Sequence, residues 1–164
     1  MPRAESATPL VFVDTNVLIY SEDLSEPNKQ NLAEAWLDAL WQRRAGRLGV
    51  QVLNEFYFNA TTKIKPPLPQ GDARALIRRY VSGWNPWVVD AQTLETAWGV
   101  QSRYGLSWWD CLIIAAAQQS ACATVLSEDM GHNAQYGTVT VINPFKLTPE
   151  EFFLGQIPAG RRSR

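Results

Sequence analysis

The feature that most constrains this chain is an apolar run at residues 10–13 that ends directly in an acid, Asp14. A continuous run of β-favouring residues is typical of a strand buried on both faces. Asp14 would then follow the carboxyl end of that strand, which is the edge where open α/β sheets bind their ligands. A carboxylate beside so much buried chain is unstable unless hydrogen bonds or a cation stabilise it.

Asp14 also has a simpler interpretation as a helix cap. Aspartate is a favoured N-cap residue, and Thr15 and Asn16 form a polar turn before a second apolar run. Taken alone, the position favours this interpretation. A functional role for Asp14 requires other acids to arrive at the same edge of the same sheet.

Helix and strand patterns alternate along the rest of the chain. Apolar spacing predicts helices at 25–44, 51–64, 91–104 and 107–120, and a further helix capped by Asp72. Strands are predicted at 48–50, 87–89, 124–127 and 139–142. This alternation predicts an α/β fold with a mostly parallel sheet and helices on both faces.

We expect one domain, at residues 10–155, between a flexible N-terminal segment at 1–9 and a basic C-terminal tail at 156–164. The chain has 164 residues, of which 46% are hydrophobic, and this is enough for one globular core. No apolar run approaches the length of a membrane span. If one helix carries both Cys111 and Cys122, they are too far apart to bond to each other, so we expect reduced cysteines and a cytoplasmic protein.

The net charge is −1, but the charged residues are distributed unevenly along the chain. Residues 43–79 contain eight basic residues and two acids, which gives this segment a charge of +6 in an otherwise acidic chain. Such a segment can face a polyanion, and Arg74, Arg78 and Arg79 are the candidates for RNA contact. A set of solvated helix faces explains the same pattern at least as well.

Four acids are predicted to reach one edge of the sheet. Asp14 follows the first strand, Glu55 is expected in the first turn of a helix after a strand, and Asp129 follows a later strand. Asp110, in the first turn of the buried helix at 107–120, could point to the same edge. In a parallel sheet these positions all belong to the carboxyl edge.

Each of these acids alone has a structural explanation. Glu55 could face a helix dipole, Asp110 could complete a capping box with Ser107, and Asp129 could belong to an ordinary acidic turn. Four carboxylates at one edge would, however, repel one another strongly. A Mg²⁺ or Mn²⁺ ion removes that repulsion, because hard cations take oxygen ligands.

Other chemistries fit less well. The sequence has no GxxxxGK[ST] nucleotide loop, and its single histidine, His132, gives poor support for a Ser-His-Asp triad or a histidine zinc site. We therefore favour metal-activated water that attacks a phosphodiester.

The sequence resembles the PIN-domain ribonucleases and, among them, the VapC-type toxins of type II toxin–antitoxin systems. The resemblance rests on four motifs: VDTNVL at 13–18, QVLNEF at 51–56, LSWWDCLI at 106–113 and LSEDM at 126–130. It spans roughly residues 10–142, and four motifs in this order and spacing are specific.

The resemblance implies a three-layer α/β/α sandwich and Mg²⁺- or Mn²⁺-dependent cleavage of RNA. It implies that the four acids form the catalytic, metal-binding site: Asp14, Glu55, Asp110 and Asp129. Asn16 and Ser127 match positions that support the site, whereas Glu128 matches a variable neighbour. The resemblance also implies a homodimer, and a VapB-type antitoxin whose C-terminal segment wraps the toxin and blocks the site.

Tryptophan is abundant, with seven residues. Trp36, Trp41 and Trp98 are predicted to face inward, into the core or an interface. Trp108 and Trp109 flank Asp110, where an aromatic face can stack an RNA base, although we expect at least one of them to pack.

Two other functions stay open. The main alternative is a PIN-like module that binds RNA or a protein without cleavage, but such a module has no need of four mutually repelling acids. A receiver-like phospho-switch also has an acidic pocket at a sheet edge. It requires an acid pair after its first strand and a lysine after a late one, and the sequence after Asp14 and after Ile142 provides neither.

Overall fold

The computed structural model describes residues 7–155. Five strands lie in this range: β1 (Val11–Val13), β2 (Gly46–Arg47), β3 (Thr124–Leu126), β4 (Gln135–Tyr136) and β5 (Val139–Ile142). Seven helices accompany them: α1 (Thr15–Glu22), α2 (Pro27–Arg43), α3 (Val50–Thr62), α4 (Gln70–Trp84), α5 (Ala91–Tyr104), α6 (Trp108–Gln119) and α7 (Pro149–Gly155). The predicted tail at 156–164, and residues 1–6 of the predicted N-terminal segment, lie outside the described residues.

The five strands form one sheet in the order β2-β1-β3-β5-β4. β1 is parallel to β2 and β3, β3 is parallel to β5, and β4 alone is antiparallel to its neighbour β5. All residues of β1 and β3 are buried, because helices cover both faces of a parallel sheet. The predicted α/β class, mostly parallel sheet and α/β/α sandwich are confirmed.

Two predicted strands are wrong. The strand expected at 48–50 is β2, two residues earlier, because the chain has already entered α3 at Val50. At 87–89 the chain makes only a single bridge, from Trp87 to Gly49, and continues as an exposed connection. Val88 and Val89 face solvent, so their apolar character reflects no buried strand.

Helix positions agree better with the sequence pattern. α5 and α6 begin and end within a residue of their predicted limits, and α6 is buried along most of its length. The predicted N-cap of α4 is wrong, because the helix starts after Pro69 and Asp72 lies inside its first turn. β4 and α7, of two and seven residues, carry too little periodic pattern to be predicted.

The large aromatic side chains divide between core and surface. Trp36 is fully buried, and its Nε1 donates to the carbonyl oxygens of Pro144 (3.1 Å) and Leu147 (3.0 Å). Trp41 is partly buried against the core. The inward position predicted for Trp98 is wrong, because α5 buries other positions and leaves this side chain half exposed.

Both cysteines are buried and unbonded. Burial raises the pKa of the Cys111 and Cys122 thiols, so both are protonated at neutral pH. Within the described residues, no helix combines the length and the apolar character that crossing a bilayer requires.

Gly46→Ala tests the close contact between β2 and α4. An added Cβ on Gly46 would lie 2.3 Å from the ring of Trp84, which is fully buried and packs on Trp41 and Tyr80. We expect overpacking to lower the free energy of unfolding by about 1–3 kcal/mol, measured by urea denaturation.

Gly99→Ala is the matched control, because the Cβ added at this exposed position inside α5 meets no atom within 4 Å. It should raise the free energy of unfolding by about 0.5–1 kcal/mol through helix propensity. Equal stability of Gly46→Ala and the wild type would contradict the packing analysis.

Candidate active site

Asp14 is both a helix cap and the terminus of a central strand. Its backbone N–H donates to the Leu126 carbonyl (3.0 Å), which continues the β1–β3 pairing, and its side chain accepts from the Thr15 N–H (2.8 Å) at the start of α1. The side chain is 8% exposed. The capping interpretation is therefore confirmed, and it leaves the second carboxylate oxygen for other partners.

That second oxygen, Oδ2, joins Asp14 to the end of β3. The Ser127 hydroxyl donates to it at 2.8 Å, and the Asn16 amide donates to it at 3.3 Å. The same Asn16 Nδ2 donates to Oδ2 of Asp129 at 3.1 Å. Asn16 and Ser127 thus connect two of the predicted acids, and neighbouring parallel strands bring these residues together from distant parts of the sequence.

Glu55 reaches the site from α3. It lies in the second turn of that helix, so its predicted first-turn position is wrong. The Thr15 hydroxyl donates to Glu55 Oε2 at 2.8 Å, and the Gln51 amide donates to Oε1 at 3.2 Å. Sequence analysis missed Thr15, although its place directly after Asp14 on α1 was the available signal.

Asp110 lies in the first turn of α6. The Ser107 hydroxyl accepts the Asp110 backbone N–H at 3.3 Å, so this serine caps the helix as predicted. Burial raises the pKa of the Asp110 carboxyl, and the charges of Asp129 and Glu55 raise it further. Asp110 therefore interacts electrostatically with Asp129 and Glu55.

Burial has its largest effect on Asp14. It raises the pKa of this carboxyl to about 6, against the lowering effect of the hydrogen bonds from Ser127 and Thr15. The negative charges of Asp110 and Asp129 add to the increase. Each of the four predicted acids thus lies near enough to at least one other for their charges to interact.

The profile of the PIN domain family matches residues 11–135. This match covers most of the chain and includes all four acids. The chain belongs to the PIN domain family. No curated protein sequence matches it.

Solved structures share the fold of this PIN domain. A toxin–antitoxin complex from Klebsiella pneumoniae superposes with a TM-score of 0.56 and 20% identity, covering 82% of this chain and 97% of that one. VapBC2 from Rickettsia felis, bound to a DNA fragment from its promoter, gives a TM-score of 0.54 at 15% identity and covers 82% and 98% of the two chains. At these identities the likeness concerns the fold.

The donor set of the PIN domain suits a hard divalent cation. All four acids offer carboxylate oxygens, the ligands that Mg²⁺ and Mn²⁺ prefer. Within residues 7–155, the ion pair present joins Lys29 to Glu128, so none of the four acids is neutralised by a basic side chain. In the same range no three acidic, histidine or cysteine side chains already stand in position to share one metal ion.

Among the described residues, Glu128, unlike the four acids, has a basic partner. It pairs with Lys29 of α2, whose ammonium also lies 4.6 Å from the centre of the Tyr20 ring. This ion pair is a physical reason to leave Glu128 out of the set of four candidate site acids.

The remaining candidates lie at the surface of the PIN domain or pack into it. Arg74, Arg78 and Arg79 are exposed on α4, and the Arg79 guanidinium stacks 4.6 Å from the Trp41 ring. Trp108 packs against the core, whereas Trp109 is 63% exposed. Of the two tryptophans that precede Asp110, Trp108 therefore packs against the core and Trp109 exposes an aromatic face.

Asp14→Asn tests whether the buried negative charge of Asp14 lowers the free energy of unfolding. The pKa of Asp14 rises from 3.8 to about 6 on folding, so the folded protein holds this proton more tightly than the unfolded chain does. Without divalent ions, the free energy of unfolding should therefore fall as the pH rises from about 4 through 6, by about 3 kcal/mol in all. Asp14→Asn should remove most of this fall, measured by urea denaturation in EDTA at pH 4.5 and 7.5.

Glu95→Gln is the control, because this exposed carboxylate on α5 lies outside the network and should leave the pH dependence unchanged. If the stability of Asp14→Asn depends on pH as strongly as that of the wild type, burial does not raise the pKa of Asp14.

Proposed function

We propose that this PIN domain is a metal-dependent endoribonuclease and the toxin of a toxin–antitoxin pair. The observation that carries the proposal is the group of four carboxylates without a basic counter-ion at the carboxyl edge of the sheet. The family match, and the fold shared with two toxin–antitoxin structures, support it. The reaction is hydrolysis of an RNA phosphodiester, in which water adds to phosphorus and one P–O ester bond breaks.

In this proposal the four acids, Asp14, Glu55, Asp110 and Asp129, would hold Mg²⁺ or Mn²⁺. Such an ion, when bound, activates water and neutralises charge on the scissile phosphate. Asn16 and Ser127 orient Asp14 and Asp129 through their hydrogen bonds, and Thr15 orients Glu55. These three residues are positioning residues.

The proposed partners follow from the same comparison. Because two structures of similar fold are a toxin–antitoxin complex and a VapBC protein, we propose a VapB-type antitoxin as the partner of this chain. We also propose a homodimer, as the sequence resemblance implies, and a cytoplasmic location, as the unbonded cysteines suggest. Arg74, Arg78 and Arg79 are proposed contacts for the RNA backbone, which their exposure on α4 permits. That residues 10–155 form a single domain remains a prediction.

A second candidate is a PIN-like module that binds RNA or a protein without cutting. One observation favours it: within residues 7–155, no three of the acids are close enough to one another to bind the same metal ion. Cleavage by the purified protein separates the two candidates.

Asp110→Asn is the direct test of the proposed nuclease. We expect the wild type to cut a mixed RNA pool with Mg²⁺ or Mn²⁺ and not with EDTA. Asp110→Asn should lose roughly 100-fold or more of this activity, because a metal-binding carboxylate supports several kcal/mol of transition-state stabilisation. Gel analysis of the RNA measures both.

Asp72→Asn removes an exposed acid on α4 and should cut at the wild-type rate. A folded wild type that cuts in neither metal would favour the binding module. Full activity of Asp110→Asn would instead contradict the site assignment.

Thr15→Val tests the hydrogen bond to Glu55. The substitution keeps the shape of the side chain and removes the hydroxyl that donates to Oε2 at 2.8 Å. We expect the metal concentration for half-maximal cleavage to rise about 10- to 100-fold, as for other residues that orient a metal ligand. Thr15→Ser should restore the wild-type metal dependence.

A change in stability without a change in metal dependence would limit Thr15 to a structural role. Metal titrations of cleavage, with urea denaturation of the same samples, distinguish these results.

A further inference from the structure

A groove of about 630 Å³ opens beside Glu55, one of the four acids. Three parts of the chain form it: the start of α3, the connection between α4 and α5, and the start of α6. Its lining consists of Val50, Gln51, Asn54, Glu55, Val88, Val89 and Trp109. We call it the Trp109 groove, and its volume lies within the roughly 300–1,000 Å³ that is typical of sites for small organic groups.

Exposed apolar side chains concentrate in the Trp109 groove. Of nine large hydrophobic side chains that are exposed within residues 7–155, four line it. Trp109 is 63% exposed and Val88 is 68% exposed. Apolar groups that converge in a concave surface are typical of a binding site, whereas isolated ones need no explanation.

The groove is continuous with the carboxylate site. Glu55 lines it and also accepts the Thr15 hydroxyl, and Trp109 directly precedes Asp110 on α6. A group in the groove therefore lies beside Glu55 and beside the turn of α6 that carries Asp110. This continuity favours an occupant that belongs to the same molecule as the reacting phosphate.

The polar groups of the groove suit a neutral, flat occupant. No basic side chain lines it, so a phosphate has no cationic partner there. Gln51 donates one of its two amide N–H groups to Glu55. Asn54 is exposed, and within residues 7–155 its side-chain amide makes no hydrogen bond. A free amide offers a donor and an acceptor side by side, the pattern that reads the edge of a base.

We propose that the Trp109 groove holds one unpaired base of a single-stranded RNA, stacked on the Trp109 indole with its edge at the Asn54 amide. The proposal rests on the proposed function, because the base belongs to the strand whose phosphate meets the acids. It makes Trp109 and Asn54 specificity-determining residues next to the cleavage site. Aromatic stacking is sequence-tolerant, so Trp109 supplies affinity and Asn54 supplies the preference.

Binding without cleavage tests the proposal. Anisotropy of fluorescein-labelled single-stranded oligoribonucleotides is measured in EDTA, and again with Mg²⁺ on an Asp110→Asn background. Trp109→Ala should raise the dissociation constant roughly 5- to 150-fold, the loss that follows from one stacked base. Trp109→Phe keeps an aromatic face and should recover most of this affinity. Trp98→Ala, which removes another half-exposed tryptophan, should bind like the wild type.

An abasic scan identifies the base itself. A single abasic site is moved along the oligonucleotide, and one position should weaken binding to the wild type. The same position should have no effect on Trp109→Ala, because the stacking surface is already absent. Asn54→Ala should reduce the difference in affinity among A, C, G and U at that position.

Unchanged affinity of Trp109→Ala, or the absence of RNA binding by the folded wild type in both conditions, would overturn the proposal. If Trp109→Ala no longer self-associates in sedimentation experiments and its RNA affinity is unchanged, the proposal is also overturned. The groove is then an interface between copies of the chain. If the wild type fails to cut RNA but Trp109→Ala still weakens binding, the nuclease function is wrong and the groove assignment stands.

Discussion

The burial of the Asp14 carboxylate at the end of β1 is the constraint on which the rest of the site depends. At 8% exposure this group is deprived of water, and its pKa rises to about 6 despite hydrogen bonds from Ser127 and Thr15. Asn16 adds a third donor and reaches Asp129 with the same amide. A stable sheet edge here requires such a network, because a buried carboxylate without donors would be far more costly.

Parallel pairing of β1 with β3 gives the network its geometry. The register places Val13 beside Leu126, so the polar residues that follow each strand meet directly. Asp14 and Ser127 are in contact although 113 residues separate them in sequence. Glu55 and Asp110 arrive on helices, and their charges complete an acidic edge that, within residues 7–155, has no basic neutralising partner. A divalent cation is the proposed counter-ion of this edge.

The sequence predicted the parts of the site that follow directly from strand order. Asp14 and Asp129 follow buried strands, and the alternation of elements makes those strands parallel. Thr15 was missed because its role lies in a contact with Glu55, 40 residues away. The strand at 87–89 was wrong because apolar residues there face a surface groove rather than a core, a difference that composition does not record.

The sequence by itself determined the α/β class, the buried helix α6 and the positions of Asp14 and Asp129 after buried strands, because each depends on local periodicity or on chain order. Tertiary structure alone decided that Asn16 joins two carboxylates, that Lys29 pairs with Glu128, and that Trp109 is exposed while Trp108 packs. These outcomes depend on distances between side chains that are remote in sequence. Such distances are fixed only when the sheet and its helices pack against one another.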